Sequence, residues 1–195
     1  MVSLMGKFRE SKTAKNLLVS YAFESQATTR YTFFSTKAIE DGYIQIGSIF
    51  QETADQEMEH ALRFFKFFNG GELEVTARFL TGVIQTTTEN LYSSADLEHH
   101  VHTDLYPGFA KIAREESFDR AAECWDAISV AEAQHEKTFR TLADALTNGA
   151  LFEKKVTALW RCMNCGYLHR GMAAPDKCPA CVRPRGYFEI FCENW

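Results

Sequence analysis

One repeated pattern in this chain is not what packing alone would produce. Glu57-x-x-His60 returns 75 residues later as Glu132-x-x-His135, with single glutamates, Glu24 and Glu98, ahead of each pair. On a helix, residues three apart share a face, so the carboxylate and imidazole of each pair can reach one metal ion. Two such pairs and two single glutamates make four carboxylates and two imidazoles. That donor set suits iron or manganese better than a metal that prefers thiolates. Charge points the same way. An unpaired buried carboxylate costs several kcal/mol, whereas two divalent ions neutralise all four. A single Glu-x-x-His belongs to a solvated helix face more often than to a site; two copies at matching places on apolar stripes select the metal reading.

A second donor set lies near the C-terminal end. Of the six cysteines, residues 1–160 hold only Cys124, while Cys162-x-x-Cys165 and Cys178-x-x-Cys181 form two pairs with the spacing of metal knuckles rather than of a disulfide framework. Four thiolates bind either zinc or iron, and ligand identity alone does not choose. Three features favour a single iron over a structural zinc. Gly166 and Tyr167 follow the first pair and let backbone N–H groups approach the sulfurs. Trp160, Tyr167, Tyr187 and Phe188 can shield an electron-transfer centre. A redox-type bundle lies on the same chain. Cys192 falls outside the ligand spacing, and Cys124 reads as a small core residue.

These donors need elements to carry them. Only four prolines occur, three of them after residue 170, so the first 150 residues are poor in helix breakers. Stripes spaced three and four apart run through Leu17, Tyr21, Glu24, Thr28, Tyr31, Ser35 and Ala38; through Ile46, Ile49, Thr53, Glu57, His60, Phe64 and Phe67; and through Ala121, Trp125, Ile128, Glu132, His135, Phe139, Leu142 and Leu146. A less regular fourth stripe runs Leu91, Ser94, Glu98, Val101 or His102, Leu105. Breaks are expected at Asp41-Gly42, Asn69-Gly70-Gly71, Glu116-Ser117 and Asn148-Gly149. The fold is mainly α: a four-helix bundle over residues 1–149, a linker over 150–159, and a four-cysteine unit over 160–195 too small to hold a core without its metal.

The chain also repeats internally. A shift of 75 carries Tyr31 onto Tyr106, Phe34 onto Phe109, Ala38 onto Ala113, Phe50 onto Trp125, Glu57 onto Glu132 and His60 onto His135, yet Glu24 meets Glu98 at a shift of 74. One extra residue between Glu98 and Tyr106 predicts a π-bulge there. Tyr31 and Tyr106, two turns beyond Glu24 and Glu98, are either core aromatics or neighbours of the metals. His99 and His100 flank Glu98 and read as solvated, one of them within reach of a ligand's outer side; Glu59 and Glu136 read as outward.

Composition narrows the classes of function. The net charge is −5 with no basic run, which disfavours a nucleic-acid partner. The N-terminal segment has no apolar run of secretory type, and no stretch approaches the roughly 18 apolar residues of a membrane helix. The cytoplasm, where thiols stay reduced, is the expected location.

The segments YAFESQATTRY at 21–31, ETADQEMEH at 52–60, LEHH at 97–100, DLYPGFA at 104–110 and VAEAQHEK at 130–137, closed by the cysteine unit, make the whole chain resemble the rubrerythrins. The resemblance implies a ferritin-like bundle with two non-haem irons and a rubredoxin-like C-terminal domain with one. It implies a peroxidase that reduces hydrogen peroxide to water, with electrons arriving through the rubredoxin iron from an NAD(P)H-dependent reductase. It also implies a homodimer or larger assembly, with the cysteine iron of one chain near the di-iron site of another. Glu24, Glu57, His60, Glu98, Glu132 and His135 would be ligands, Glu57 and Glu132 bridging, with Tyr31 and Tyr106 just outside. One departure stands out. The family carries a further glutamate ligand three residues after Glu98, where this chain has Val101; its loss is expected to destabilise the diferric form and keep His60 bound in both oxidation states. His102 is the neighbour able to substitute, without the charge. Two rival readings are a ferritin-type iron store, which needs a cage, and a metal-stabilised bundle carrying a zinc-ribbon interaction module.

Overall fold

The computed structural model describes residues 4–193. Helices α1 (Leu4–Glu10), α2 (Lys12–Glu40), α3 (Ile44–Phe65), α4 (Thr87–His100), α5 (Tyr106–Glu115) and α6 (Asp119–Thr147) are followed by strands β1 (Glu153–Cys162), β2 (Leu168–Ala173) and β3 (Phe188–Ile190). A π-helical segment, Val101–Leu105, joins α4 to α5 without a break, so the two act as one long helix of the bundle. The bulge expected from the 74-against-75 offset is therefore present. With one residue taken up in the wide turn, Glu98 to Tyr106 counts as seven α-helical steps, about two turns, and Tyr106 returns to the inward face. Pro107 lies at the start of α5, directly after the π-helical segment.

Local chemistry sets the helix ends. The Ser11 hydroxyl accepts from Ala14 N–H (3.0 Å) at the start of α2. Thr86 and Glu89 form a reciprocal capping box on α4. Gly42 (φ +87°) and Gly149 (φ +66°) take the left-handed conformation after α2 and α6. The Glu116 carboxylate reaches across from the α5–α6 turn and accepts from Thr13 N–H (2.8 Å) and Lys12 N–H (3.1 Å), which ties the two hairpins at one end.

Helix α2 pairs with α3, and α4–α5 with α6; the two hairpins are joined by a crossover over residues 66–86 that has no helix or strand of its own. That is the topology of a bundle with one long connection. The core has two apolar clusters. Leu17, Phe64, Val101, Tyr106, Trp125 and Ile128 fill one end, and Tyr31, Phe34, Phe50, Leu91 and Phe139 the other. Buried Glu24, Glu57, Glu98 and Glu132 are the polar layer of this bundle. Cys124 is buried at 4% exposure, the small core residue expected.

The C-terminal unit is a three-stranded antiparallel sheet, β2-β1-β3, over a core of Trp160, Cys162, Ala174, Cys178 and Phe188. Strand β1 starts at Glu153, inside the 150–159 segment expected to be a linker; pairing with β2 draws that stretch into the sheet. The unit packs on the α2–α3 turn. Phe152 stacks on Tyr43 with centroids 6.4 Å apart, and Gly186 lies so close to the Gly42 carbonyl that a Cβ there would overlap it. Gly186→Ala should therefore push the unit off the turn, at a cost of about 1–3 kcal/mol of docking. The expected result is faster limited proteolysis near Gly149, with metal content unchanged; an unaltered cleavage rate would mean that this contact does not hold the two parts together.

Candidate metal centres

Helices α2, α3, α4 and α6 each bring their acidic or imidazole side chains to one layer. Glu24, Glu57, His60 and Glu132 offer donor atoms within 4.8 Å of one another, and so do Glu57, Glu98, Glu132 and His135. Glu57 and Glu132 belong to both sets. All six residues singled out in the sequence are thus brought together, with the four glutamates at 0–2% exposure.

The donor geometry leaves a place for cations. His60 Nδ1 stands 2.9 Å from Glu57 Oε2 and 2.9 Å from Glu132 Oε1. His135 Nδ1 stands 2.7 Å from Glu132 Oε2 and 3.0 Å from Glu57 Oε1. One ring nitrogen cannot serve two carboxylate oxygens, and Glu57 Oε1 and Glu132 Oε1 are buried with no aligned hydrogen bond. A cation between each imidazole and the two shared carboxylates would satisfy every one of these atoms.

Electrostatics describe the same strain. Burial, with the neighbouring carboxylates of Glu57 and Glu132, pushes Glu24 and Glu98 well above the usual carboxylate range. Burial also pushes Glu57 up, but His135 and His60 beside it prevail and hold it below its ordinary value. The imidazoles respond in kind: although burial pulls them down, Glu132 and Glu57 raise His60 to about 9 and His135 to about 10. Without metal charge, these shifts all favour proton binding in the layer, except at Glu57.

Tyr31 and Tyr106 are fully buried and pair across the repeat. The Tyr31 hydroxyl donates to Glu98 Oε1, and the Tyr106 hydroxyl donates to Glu24 Oε1. Burial and the adjacent carboxylates raise both phenols well above their ordinary value, so each keeps its proton. Each tyrosine of one hairpin therefore holds the single glutamate of the other, which the sequence left open.

The structure gives three further side chains contacts that spacing did not fix. Gln56 Oε1 lies 2.9 Å from His135 Nε2 and fixes which ring nitrogen faces the carboxylates. Gln56→Ala should weaken metal retention about 10–100-fold while leaving the helices intact, read by competition with a chelator; full retention would show that the ring needs no such anchor. His99 is 56% exposed, as expected, yet its Nδ1 meets Glu136 Oε2 at 3.0 Å. His102 does not turn toward the carboxylate layer but toward the same oxygen of Glu136, at 2.7 Å. Val101 is buried among apolar residues and brings no donor.

In the C-terminal unit, Cys162 Sγ lies 3.7 Å from Cys181 Sγ and Cys165 Sγ 3.6 Å from Cys178 Sγ. A tetrahedron with arms of about 2.3 Å has edges of about 3.8 Å, so the four sulfurs match one metal ion. The residues after the pairs, Gly166 and Val182, both have positive φ (+78° and +55°), a turn that aims backbone N–H groups at sulfur. The Arg183 N–H on Cys181 draws that thiol down to about 6. Cys192 is exposed and outside this group.

A bundle whose four helices converge two imidazoles and four carboxylates, two of them shared, defines the class of ferritin-like carboxylate di-metal proteins. Residues 15–143 match the Rubrerythrin family model, and residues 160–189 match the model described as Rubrerythrin, rubredoxin-like domain. The chain belongs to the rubrerythrin family, with its di-iron site and its rubredoxin-like four-cysteine site. It is 48% identical over 191 residues to the rubrerythrin of Nitratidesulfovibrio vulgaris, covering 98% of this chain and 100% of that one. It is 43% identical over 195 residues to the rubrerythrin of Clostridium perfringens, again covering 98% and 100%. Among solved structures, the fully reduced, all-ferrous state of nigerythrin matches with a TM-score of 0.62 at 28% identity, over 93% of this chain and 90% of that one. The Desulfovibrio desulfuricans bacterioferritin matches with a TM-score of 0.67 at 21% identity, over 74% and 85%, a likeness of fold.

Proposed function

We propose that this protein is a non-haem di-iron peroxidase of oxidative-stress defence, reducing hydrogen peroxide to water in the cytoplasm with electrons from an NAD(P)H-dependent reductase or a rubredoxin. In this reading Glu24, Glu57, His60 and Glu132 hold one iron; Glu57, Glu98, Glu132 and His135 hold the other; and Cys162, Cys165, Cys178 and Cys181 hold a third. The observation that carries it is the sharing of Glu57 and Glu132 between two donor sets inside a buried layer. When bound, the iron pair would supply the two electrons that peroxide reduction consumes, and the four-thiolate iron would relay replacements from the donor one at a time.

The chain's own part is positioning and exclusion. Glu57 and Glu132 each face both histidines and would hold both ions. Tyr31 and Tyr106 each donate a hydrogen bond to one oxygen of Glu98 and Glu24, which leaves the other oxygen for metal and lets these carboxylates change their binding as charge changes. Phe50 and Phe139 on one side, with Phe64 and Trp125 on the other, keep bulk water from the layer.

The rubredoxin-like unit supports a homo-oligomer. It docks at the α2–α3 turn, and from Glu24 to the end of α2 at Glu40 is about 24 Å along the helix. Its own carboxylate layer is thus distant, and a second copy arranged head to tail would bring a four-cysteine site nearer.

Anaerobic titration of the dithionite-reduced, iron-loaded protein with hydrogen peroxide tests the reading. Stoichiometric peroxide should oxidise the protein, with the red colour of four-thiolate iron returning after the bundle is oxidised. A reduced protein that leaves one equivalent of peroxide intact is not a peroxidase. A preparation that never colours carries a zinc ribbon instead.

A further inference from the structure

Outside the carboxylate layer, α4, the π-helical segment that follows it and α6 gather a second set of ligand-type side chains. His99 follows Glu98 on α4, Glu136 follows His135 on α6, and His102 lies in the π-helical segment. A step of one residue turns a helix position by about 100°, so these groups face outward from the layer their neighbours face. They nevertheless converge. His99 Nδ1 and His102 Nε2 point at the same oxygen, Glu136 Oε2, from 3.0 and 2.7 Å. The rings stand nearly perpendicular at 86° with centroids 5.4 Å apart, and the three donor atoms all lie within 4.8 Å of one another.

The carboxylate is held in place from behind. Arg140 donates to its other oxygen, Oε1, through Nε (3.2 Å) and Nη2 (3.0 Å), and the same Nη2 lies 3.0 Å from Asp96 Oδ1. Glu136 therefore offers Oε2 to the two imidazoles while Arg140 holds its other oxygen. An ion pair needs only one imidazole on the carboxylate. Two nitrogens and one oxygen converging from two helices, with an anchored carboxylate, is how a metal site is built. Arms of about 2.0–2.2 Å place neighbouring donors about 2.8–3.1 Å apart in an octahedron and about 3.3–3.6 Å apart in a tetrahedron, so the 3.0 and 2.7 Å separations lie nearest the octahedral spacing. His99 is 56% exposed, so the remaining coordination positions open to water.

We propose that His99, His102 and Glu136 form a further metal site, separate from the di-iron and four-cysteine centres, that takes a divalent first-row transition ion with water completing its coordination. Imidazole nitrogen with one carboxylate suits zinc, ferrous iron and their neighbours, and is a poor set for calcium or magnesium, which favour oxygen.

Zinc is the probe. The iron-loaded full-length protein is dialysed to equilibrium against micromolar zinc sulfate, and iron and zinc per chain are measured together. Wild type should take up about one zinc per chain with its iron unchanged, and absorption at the zinc edge should show two imidazole nitrogens. His99→Ala and His102→Phe should each weaken that uptake at least about tenfold. His99→Ala alters a half-exposed side chain, so it decides the matter if His102→Phe disturbs the bundle and lowers its iron content. Zinc uptake equal in wild type and His99→Ala, zinc entering only as iron leaves, or no zinc uptake would each overturn the assignment.

Discussion

Replacing Glu57 by alanine should strip the bundle of both metals while the C-terminal unit keeps its own, so iron falls from about three per chain to about one. The asymmetry with other ligand changes is the point. Glu57 belongs to both donor sets, whereas Glu24 belongs to one. Loss of Glu57 removes one oxygen from each metal and leaves His60 and His135 each without one of the two carboxylates they face. Glu24→Ala removes a donor from one set only and should leave the other metal in place. Glu59→Ala, on the exposed face of the same helix, should change neither. Peroxide-dependent oxidation should fall at least about 100-fold in Glu57→Ala, since loss of a ligand exceeds loss of an outer partner. Metal analysis beside the visible absorbance of the four-thiolate iron reads both parts. Two bundle irons retained in Glu57→Ala would contradict the shared role.

The second large effect concerns metal removal and pH. In the metal-free bundle His60 and His135 are raised to about 9 and about 10 from an ordinary value of 6.5. A group raised in the folded state adds stability that is complete below its unfolded value and lost as pH climbs through the folded one. Glu24 and Glu98, pushed up first by burial, act in the same direction: above 4.5 the unfolded chain ionises them and the folded chain resists. Glu57 runs the other way, since it is held below its ordinary value, and its contribution is lost only as pH falls under 4.5. Between pH 6.5 and 10 the metal-free protein should therefore lose several kcal/mol, seen as a fall in Tm on the order of 10 °C. The metal-loaded protein should be nearly flat across that window, because ligation already holds these groups without their protons. Calorimetry of both forms checks the sign. A metal-free Tm that is level or rising from pH 6.5 to 10 would show that protons do not stand in for the metals.

The two effects have one origin: a layer of the core built for cations, placed between two apolar clusters. Metal binding is thus coupled to the stability of this bundle, and the same coupling sets how each ligand change is felt.

The six side chains of the carboxylate layer, the four knuckle cysteines and the π-helical turn were all legible in the residue order. Each is a matter of helical or knuckle spacing, and spacing is local: Glu57 and His60 share a face in any α-helix, and one residue too many between Glu98 and Tyr106 has to be absorbed somewhere. What only the tertiary structure decided are contacts between distant segments. Gln56 meets His135 across 79 positions, Tyr31 meets Glu98 across 67, and Tyr106 meets Glu24 across 82. His102, weighed as a substitute for the ligand missing at Val101, faces Glu136 instead, and Glu153 opens a strand because β2 lies beside it. Periodicity says which face of a helix is buried; which residues of another helix that face meets depends on how the helices pack, and no spacing within one segment encodes that.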